Sequence, residues 1–351
     1  MPYPLAEDVV QVLTKDGQVV GELPDLSAKE LVGFYRWMVF GRVFSDRMVA
    51  LQRQGRMGTF APLRGQEASA AIAGPLEQED WLTGSYRDIL PYFVKGVPPL
   101  AIMENYRGYA GAKYPYEARC LPMQIVLATQ MLHAVGLAMA IKYDGKPNVA
   151  VGVCGDGATS EGDFNESLNF AAVFKAPAVI VVQNNGWAIS VPRHKQTVTE
   201  YIAHRGPGFG MPGYVVDGND LLAVYKVMSD CVARARVGDG PSLVEMLTYR
   251  LSSHTTADDP TKYRSQSEVN EWRQRDPIIR YRKFLMDRNM LSDLEDEQLH
   301  EEITEEIQGT VERLEAMPPQ DPAEIFDLVY AEPTPQLKQQ RSELLESLRR
   351  E

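Results

Sequence analysis

Between residues 148 and 249 the chain alternates short, almost wholly apolar runs with longer amphipathic ones. NVAVGVC (148–154), AVIVVQ (178–183), YVVDG (214–218) and SLVEMLTY (242–249) have strand length. EGDFNESLNFAAVFKA (161–176) and DLLAVYKVMSDCVARARV (220–237) lie between them with helical spacing. A strand with one wet face alternates apolar and polar residues, whereas an unbroken apolar run needs cover on both faces. Strands of that kind alternating with helices predict an α/β fold with a parallel sheet covered by helices on both faces. Pro177 stops the preceding helix before the second strand. Such sheets bind ligands at the carboxyl ends of their strands.

The flanks are read against that unit. Residues 1–26 form an N-terminal arm with apolar runs around Lys15-Asp16-Gly17. Ser27 opens a capping box with Glu30, apolar residues follow at helical spacing, and Gly55 is placed to end that helix. Residues 56–120, rich in Gly, Pro and aromatics, predict short helices joined by loops. MQIVLATQMLHAVGLAMAIKY (123–143) is predicted to be one buried helix. The α/β domain is set at 27–265, and 266–351 is a charged, helical C-terminal extension packing on it or on a partner subunit; EDEQLHEEITEEIQGTVERLEAM (295–317) is its amphipathic surface helix.

A net charge of −12 argues against nucleic acid and anionic membranes as partners. No charged and apolar leader opens the chain, and no run approaches the ~20 apolar residues of a membrane span. Three widely spaced cysteines, Cys120, Cys154 and Cys231, make no metal pattern and read as free thiols. A cytoplasmic location follows.

The first apolar strand runs into Gly155-Asp156-Gly157. A glycine turn after a buried strand suits a phosphate, yet a carboxylate in that turn repels one. Ser160 replaces the third glycine of a dinucleotide fingerprint, and no Gly-Lys-Ser/Thr follows as in a P-loop. A cation between carboxylate and phosphate resolves the conflict, and Mg²⁺, with oxygen ligands and phosphate bridging, fits. One turn–helix–strand unit later the next strand ends in Asn184-Asn185-Gly186-Trp187, which sets Asn185 at the same sheet edge as a neutral oxygen ligand. The competing reading makes Asp156 and Asn185 simple helix N-caps.

GDG followed some thirty residues later by NN resembles the thiamine diphosphate signature. With LQRQGRMGTFAPLRGQEA, SYRDILP, LATQ, GDGATSEGDF, QNNGWAIS, VDGNDLLAVY and SSHTTADDPTKYRS in order, residues 27–330 resemble the alpha subunit of the first, decarboxylating component of 2-oxo acid dehydrogenase complexes. The resemblance implies a thiamine diphosphate-binding fold. It implies Mg²⁺ on Asp156, Asn185 and the backbone carbonyl of Trp187, with Gly155, Gly157 and Ala158 beside the diphosphate. It gives Tyr86 and Arg87 to the cofactor phosphates, Leu127 to the support of the bent cofactor, Ile125 to its aminopyrimidine, and His254 to the phosphate and the reacting carbon. Gln183 departs from branched-chain relatives, which carry an arginine there that reaches the diphosphate. Thr255 stands where some relatives carry a regulatory phosphoserine; Thr129 with Gln130 matches a structural cation site of branched-chain relatives, and buried hydrogen bonding explains the pair equally well.

The resemblance further implies a beta subunit that supplies the glutamate at the pyrimidine ring, an α₂β₂ heterotetramer, and delivery of the acyl group to the lipoyl domain of an acyltransferase component. For the substrate, QGRMGTFAP and DDPTKYRS lean towards bacterial pyruvate enzymes, and LATQMLHAVG, NNGWAIS and HRGPGFG towards branched-chain ones. The expectation is a pyruvate dehydrogenase (acetyl-transferring) alpha subunit, with branched-chain 2-oxo acid and acetoin dehydrogenase alpha subunits as alternatives. An NAD-binding dehydrogenase and a non-catalytic scaffold subunit are the rivals of other classes. Of the other histidines, His133 is expected in the core or an interface; His194, His204 and His300 are expected to be structural or solvent-facing, with His194 able to add positive potential.

Overall fold

The computed structural model describes residues 8–109 and 114–350. Strands β1 (Trp81–Thr83), β2 (Ala150–Gly155), β3 (Ala178–Asn184), β6 (Gly213–Asp217) and β7 (Ser242–Leu247) form a parallel sheet in the order β1-β2-β3-β7-β6. Strands β4 (Trp187–Ala188) and β5 (Val191–Pro192) make a small antiparallel hairpin just beyond β3. The four strands read from apolar runs are all present. The three residues of β1, at the sheet edge, carry no periodic signal and were not among the predicted strands.

The period of two along a strand sends alternate residues to opposite faces. Val179 and Val181 of β3 enter the larger core together with Val244 and Met246 of β7. Ile180 and Val182 enter a second core with Leu243, on the other side. Every residue of β3 is buried, which explains the absence of polar alternation in its sequence. Each such Val or Ile contributes about 1.5–3 kcal/mol by leaving water.

The helices are α1 (Ala28–Arg53), α2 (Ile89–Val94), α3 (Pro99–Arg107), α4 (Thr129–Tyr143), α5 (Gly162–Val173), α6 (Arg205–Phe209), α7 (Leu221–Arg236), α8 (Gln266–Arg273), α9 (Pro277–Asp287), α10 (Asp293–Glu315), α11 (Glu324–Asp327) and α12 (Pro335–Leu348). Helices α4 and α5 cover one face of the sheet through Met131, Phe164 and Leu168. Helices α1 and α7 belong to the core of the other face. The Ser27–Glu30 capping box is formed, and Gly55, at φ +72°, follows the C-cap of α1. Asp220 caps α7 and also accepts the backbone N–H groups of Val12 and Leu13, which ties the N-terminal arm down. That arm turns at Gly17 and bridges Val10 to Val216 of β6. Its residues 1–7 lie outside the described residues.

The 123–143 segment corrects the expectation of one buried helix. Helix begins only at Thr129; Ala128 before it has φ +66° and breaks the run. Ile125, Val126 and Leu127 form an exposed approach loop, and His133 is exposed rather than in the core of this chain. Apolar composition alone did not distinguish a core helix from a helix with one uncovered face. In the extension, α10 buries Ile303, Ile307, Val311 and Leu314 at helical spacing, whereas α12 buries none of its residues. Among the described residues no helix is long and apolar enough to cross a membrane.

Candidate active site

Parallel pairing of β2 with β3 in the register Gly155↔Gln183 brings two strand ends side by side. Asp156 opens the 3₁₀ turn after β2, and Asn185 directly follows β3. The N–H of Asn185 donates to Asp156 Oδ1 at 3.3 Å, and Gln196 Nε2 donates to Oδ2 at 3.1 Å. Neither side chain acts as a helix cap: α5 has Glu161 at its N-cap with no side-chain bond. Asn185 Oδ1 instead accepts from Trp187 N at 3.3 Å, and Nδ2 donates to Gln66 Oε1 at 3.1 Å.

Asp156 is 1% exposed. Burial pushes its carboxyl above the usual range, against the pull of Gln196, the Asn185 N–H and the more distant Arg250. Some buried acids have a direct cation, as Glu67 meets Arg42 at 2.8 Å and Asp80 meets Arg236 at 2.6 Å, whereas Asp88 and Glu245, like Asp156, are held by neutral donors. Among the described residues none forms an ion pair with Asp156. A buried carboxylate with only neutral donors is costly when ionised, and a bound cation removes that cost. No cluster of three His, Cys, Asp or Glu exists among the described residues. One carboxylate, one amide and a backbone carbonyl suit a hard cation that completes its shell with phosphate and water.

These groups border a cavity of about 150 Å³. Every residue singled out from the sequence for the cofactor and Mg²⁺ lies on it except Ile125, and of the structural-cation pair Gln130 lies on it and Thr129 does not. Ile125 lines an outer cavity of about 390 Å³ that shares Tyr86, Leu127 and His254 with the inner one. The inner cavity holds the charged and amide groups Asp156, Arg87, Asn185 and Gln66, and the outer one is largely apolar. At Gly157 an added Cβ would come within 2.8 Å of Ala188 Cβ, so glycine allows the turn to press against β4. Ile189, at the turn of the β4–β5 hairpin, borders the inner cavity at φ +55°, an uncommon conformation for a β-branched residue. A larger cavity of about 770 Å³, lined by Thr14, Asp217 and Trp272 among others, contains none of the singled-out residues.

Opposite Asp156 stand two guanidiniums around an imidazole. Arg87 donates through Nε to Pro62 O at 3.1 Å and through Nη2 to His254 O at 2.5 Å. Its Nη1 has no protein partner among the described residues, which leaves a donor for an anion. His254 Nδ1 lies 3.3 Å from Arg87 Nη2 and 3.4 Å from Arg250 Nη1. Guanidiniums only donate, so Nδ1 accepts and the neutral ring carries its proton on Nε2. Burial, then Arg87 and Arg250, lower the pKa of His254 to about 4, with Asp258 opposing. Burial likewise brings Arg250 down to about 10.

Sequence reading missed four contributors. Arg250 donates to Trp187 O at 3.3 Å, Ile189 O at 2.7 Å and Tyr263 Oη at 2.8 Å, and so couples the Asn185 loop to the His254 loop. Its signal was an arginine at a buried strand end. Gln66 stands at the N-cap of the 3₁₀ turn Glu67–Ile72, and its side chain also reaches Asn185. Gln196 arrives from the loop after β5. Asp88, buried beside Arg87, has its carboxyl raised by burial, with Ser85, Arg87 and Gln183 opposing. Gln183 borders the cavity, yet its amide bonds to Asp88 and Gln66. Gln130 Oε1 is buried without a hydrogen-bond partner.

Residues 35–323 match the family model described as dehydrogenase E1 component. The chain is 46% identical to the 3-methyl-2-oxobutanoate dehydrogenase subunit alpha of Mycobacterium tuberculosis (strain ATCC 25618 / H37Rv), over 97% of this chain and 94% of the relative. It is 39% identical to the pyruvate dehydrogenase E1 component subunit alpha of Staphylococcus aureus (strain COL), over 95% of this chain and 91% of the relative. These matches displace the NAD-binding and scaffold readings. With nearly the whole chain matched and the strand-end constellation intact, the protein belongs to the dehydrogenase E1 component family, as the alpha subunit of a thiamine diphosphate-dependent 2-oxo acid dehydrogenase.

Proposed function

We propose that this subunit, with a beta subunit in an α₂β₂ heterotetramer, oxidatively decarboxylates a branched-chain 2-oxo acid and passes the acyl group to a lipoyl domain of an acyltransferase component. The observation that carries the substrate choice is the fuller identity to the relative named for 3-methyl-2-oxobutanoate, 46% against 39% for the one named for pyruvate. This turns the sequence-based preference for pyruvate towards its alternative. The outer cavity beside His254, with Ala61, Ile125 and Leu127 on its walls, supports it, since it offers apolar contact to an aliphatic side chain.

Thiamine diphosphate supplies the electron sink for decarboxylation. In this reading Asp156, Asn185 and the Trp187 carbonyl hold Mg²⁺, whose charge offsets the clash between Asp156 and the diphosphate. Gly155, Gly157 and Ala158 bring backbone close to the phosphates. Tyr86 and Arg87 bind phosphate from the opposite wall, Arg87 through its free Nη1. Leu127 and Ile125, on the walls of the two cavities, would give the bound cofactor apolar contact. His254 presents Nε2–H as a donor towards the reacting carbon. The glutamate needed at the pyrimidine comes from the beta subunit, so each alpha chain is half of an active site. Residues 27–265 form the cofactor-binding unit and 266–351 an extension. A cytoplasmic location belongs to the same reading, supported by three buried free thiols.

The test is to co-express the chain with candidate beta subunits and assay decarboxylation with an artificial electron acceptor. Over pyruvate, 2-oxobutyrate and 3-methyl-2-oxobutanoate, kcat/KM is expected to rise with the branched side chain, by about 10–200-fold per buried methylene at most. A maximum at pyruvate would return the assignment to pyruvate dehydrogenase.

A further inference from the structure

Four buried side chains form a single-file hydrogen-bonded chain from the loop after β1 to Asn185. Asp88 Oδ2 accepts from Ser85 N and Ser85 Oγ, each at 2.8 Å, and Oδ1 accepts from Gln183 Nε2 at 2.6 Å. Gln183 Oε1 accepts from Gln66 Nε2 at 3.2 Å, and Gln66 Oε1 accepts from Asn185 Nδ2 at 3.1 Å. Asp88, Gln66, Gln183 and Asn185 are each 3% exposed or less, so each amide and carboxyl depends on its neighbours in the chain for partners.

The direction of the chain is set at both ends: by the Asp88 carboxylate at one, and at the other by the Trp187 N–H, which donates to Asn185 Oδ1 at 3.3 Å. A carboxylate only accepts, so Gln183 must turn its NH₂ towards Asp88 and its oxygen towards Gln66. Gln66 must then give its NH₂ to Gln183 and its oxygen to Asn185. Asn185 in turn must give its NH₂ to Gln66, which leaves Oδ1 on the other side. Reversing any one amide sets NH₂ against NH₂ or oxygen against oxygen at buried contacts, and an unmade buried bond costs about 1–3 kcal/mol.

We propose that Asp88, Gln183 and Gln66 are positioning residues whose relay locks the Asn185 amide with its oxygen, not its NH₂, presented to the cation site. The inference rests on the reading of Asn185 as a Mg²⁺ ligand. It also gives Gln183 a task in place of the diphosphate contact that branched-chain relatives make with arginine. The relay couples SYRD, RGQEA and the strand-end NN, three segments distant in sequence, into one support for a single oxygen atom.

The experiment uses the full chain with its beta subunit. Calorimetry follows thiamine diphosphate binding as Mg²⁺ is varied, for wild type, Gln183→Met, Gln66→Met, Asn185→Ala and each glutamine variant combined with Asn185→Ala. The Mg²⁺ concentration for half-maximal cofactor binding is expected to rise about tenfold or more in each glutamine variant, the usual cost of losing a support behind a metal ligand. Cofactor affinity at saturating Mg²⁺ is expected to stay within about twofold of wild type, and neither substitution to add to Asn185→Ala. Additivity, or an unchanged Mg²⁺ requirement in the glutamine variants while Asn185→Ala raises it, overturns the relay alone. An unchanged requirement in Asn185→Ala overturns the reading beneath it and the relay with it. The two glutamine variants report independently, so one that fails to assemble leaves the other to decide.

Discussion

Arg87 meets His254 twice: its Nη2 donates to the His254 carbonyl at 2.5 Å and lies 3.3 Å from Nδ1 of the ring. With Arg250 on the same nitrogen, the imidazole is kept neutral, its pKa lowered to about 4. Activity should therefore show no breakpoint near the usual histidine value of about 6.5. His254→Ala should lower kcat about 100-fold or more, through the loss of the Nε2–H donor at the reacting centre. The pH profile of decarboxylation checks this; a breakpoint near pH 6.5 that disappears in His254→Ala would contradict it.

The same histidine affects stability. The unfolded ring takes its proton near pH 6.5 and the folded ring near pH 4, so the unfolded state binds more protons between those values. The contribution of His254 is thus present above pH 6.5 and lost as pH falls towards 4. His254→Gln should flatten the decline of the unfolding midpoint over this window relative to wild type. Thermal melts at a series of pH values read it out directly.

Arg87 offers the diphosphate its Nη1 while Nε and Nη2 stay on Pro62 and His254, a division of donors that lysine cannot copy. Arg87→Lys should keep the charge yet weaken thiamine diphosphate binding about tenfold or more, consistent with the 1.5–3 kcal/mol of a charged hydrogen bond. Arg87→Ala should lose more. Equal affinity for Arg87→Lys and wild type in a cofactor titration would show that charge alone suffices.

Beneath the site, Arg42 pairs with Glu67 at 2.8 Å and Asp276 at 2.9 Å, joining α1 to the turn behind the cavity and to the start of α9. Glu67 is fully buried. Arg42→Ala should destabilise the chain by about 3–5 kcal/mol, because it strands a buried carboxylate. Denaturant unfolding of the assembled enzyme measures it, and a loss under about 1 kcal/mol would show that Glu67 finds another partner.

The sheet was legible because burial on both faces writes itself into composition: β2, β3 and β7 lack polar alternation, and the helices between them do not. The pairing of Asp156 with Asn185 was legible because parallel strands one crossover apart end at the same edge. Strand β1 was not, since three residues show no period. Nor was the start of α4, because a left-handed Ala128 breaks a run whose composition favours helix throughout. The roles of Gln66, Gln196 and Arg250 at the site were not legible for one reason. Each reaches the site from a different segment, and only the tertiary fold makes them neighbours.

The most direct test of the cation clamp is a calorimetric titration of thiamine diphosphate into wild type and Asp156→Ala, each assembled with the beta subunit, with and without Mg²⁺. Wild type should bind tightly only with Mg²⁺, and Asp156→Ala should bind weakly with no response to the ion. Tight, Mg²⁺-dependent binding retained in Asp156→Ala would show that the metal is held elsewhere.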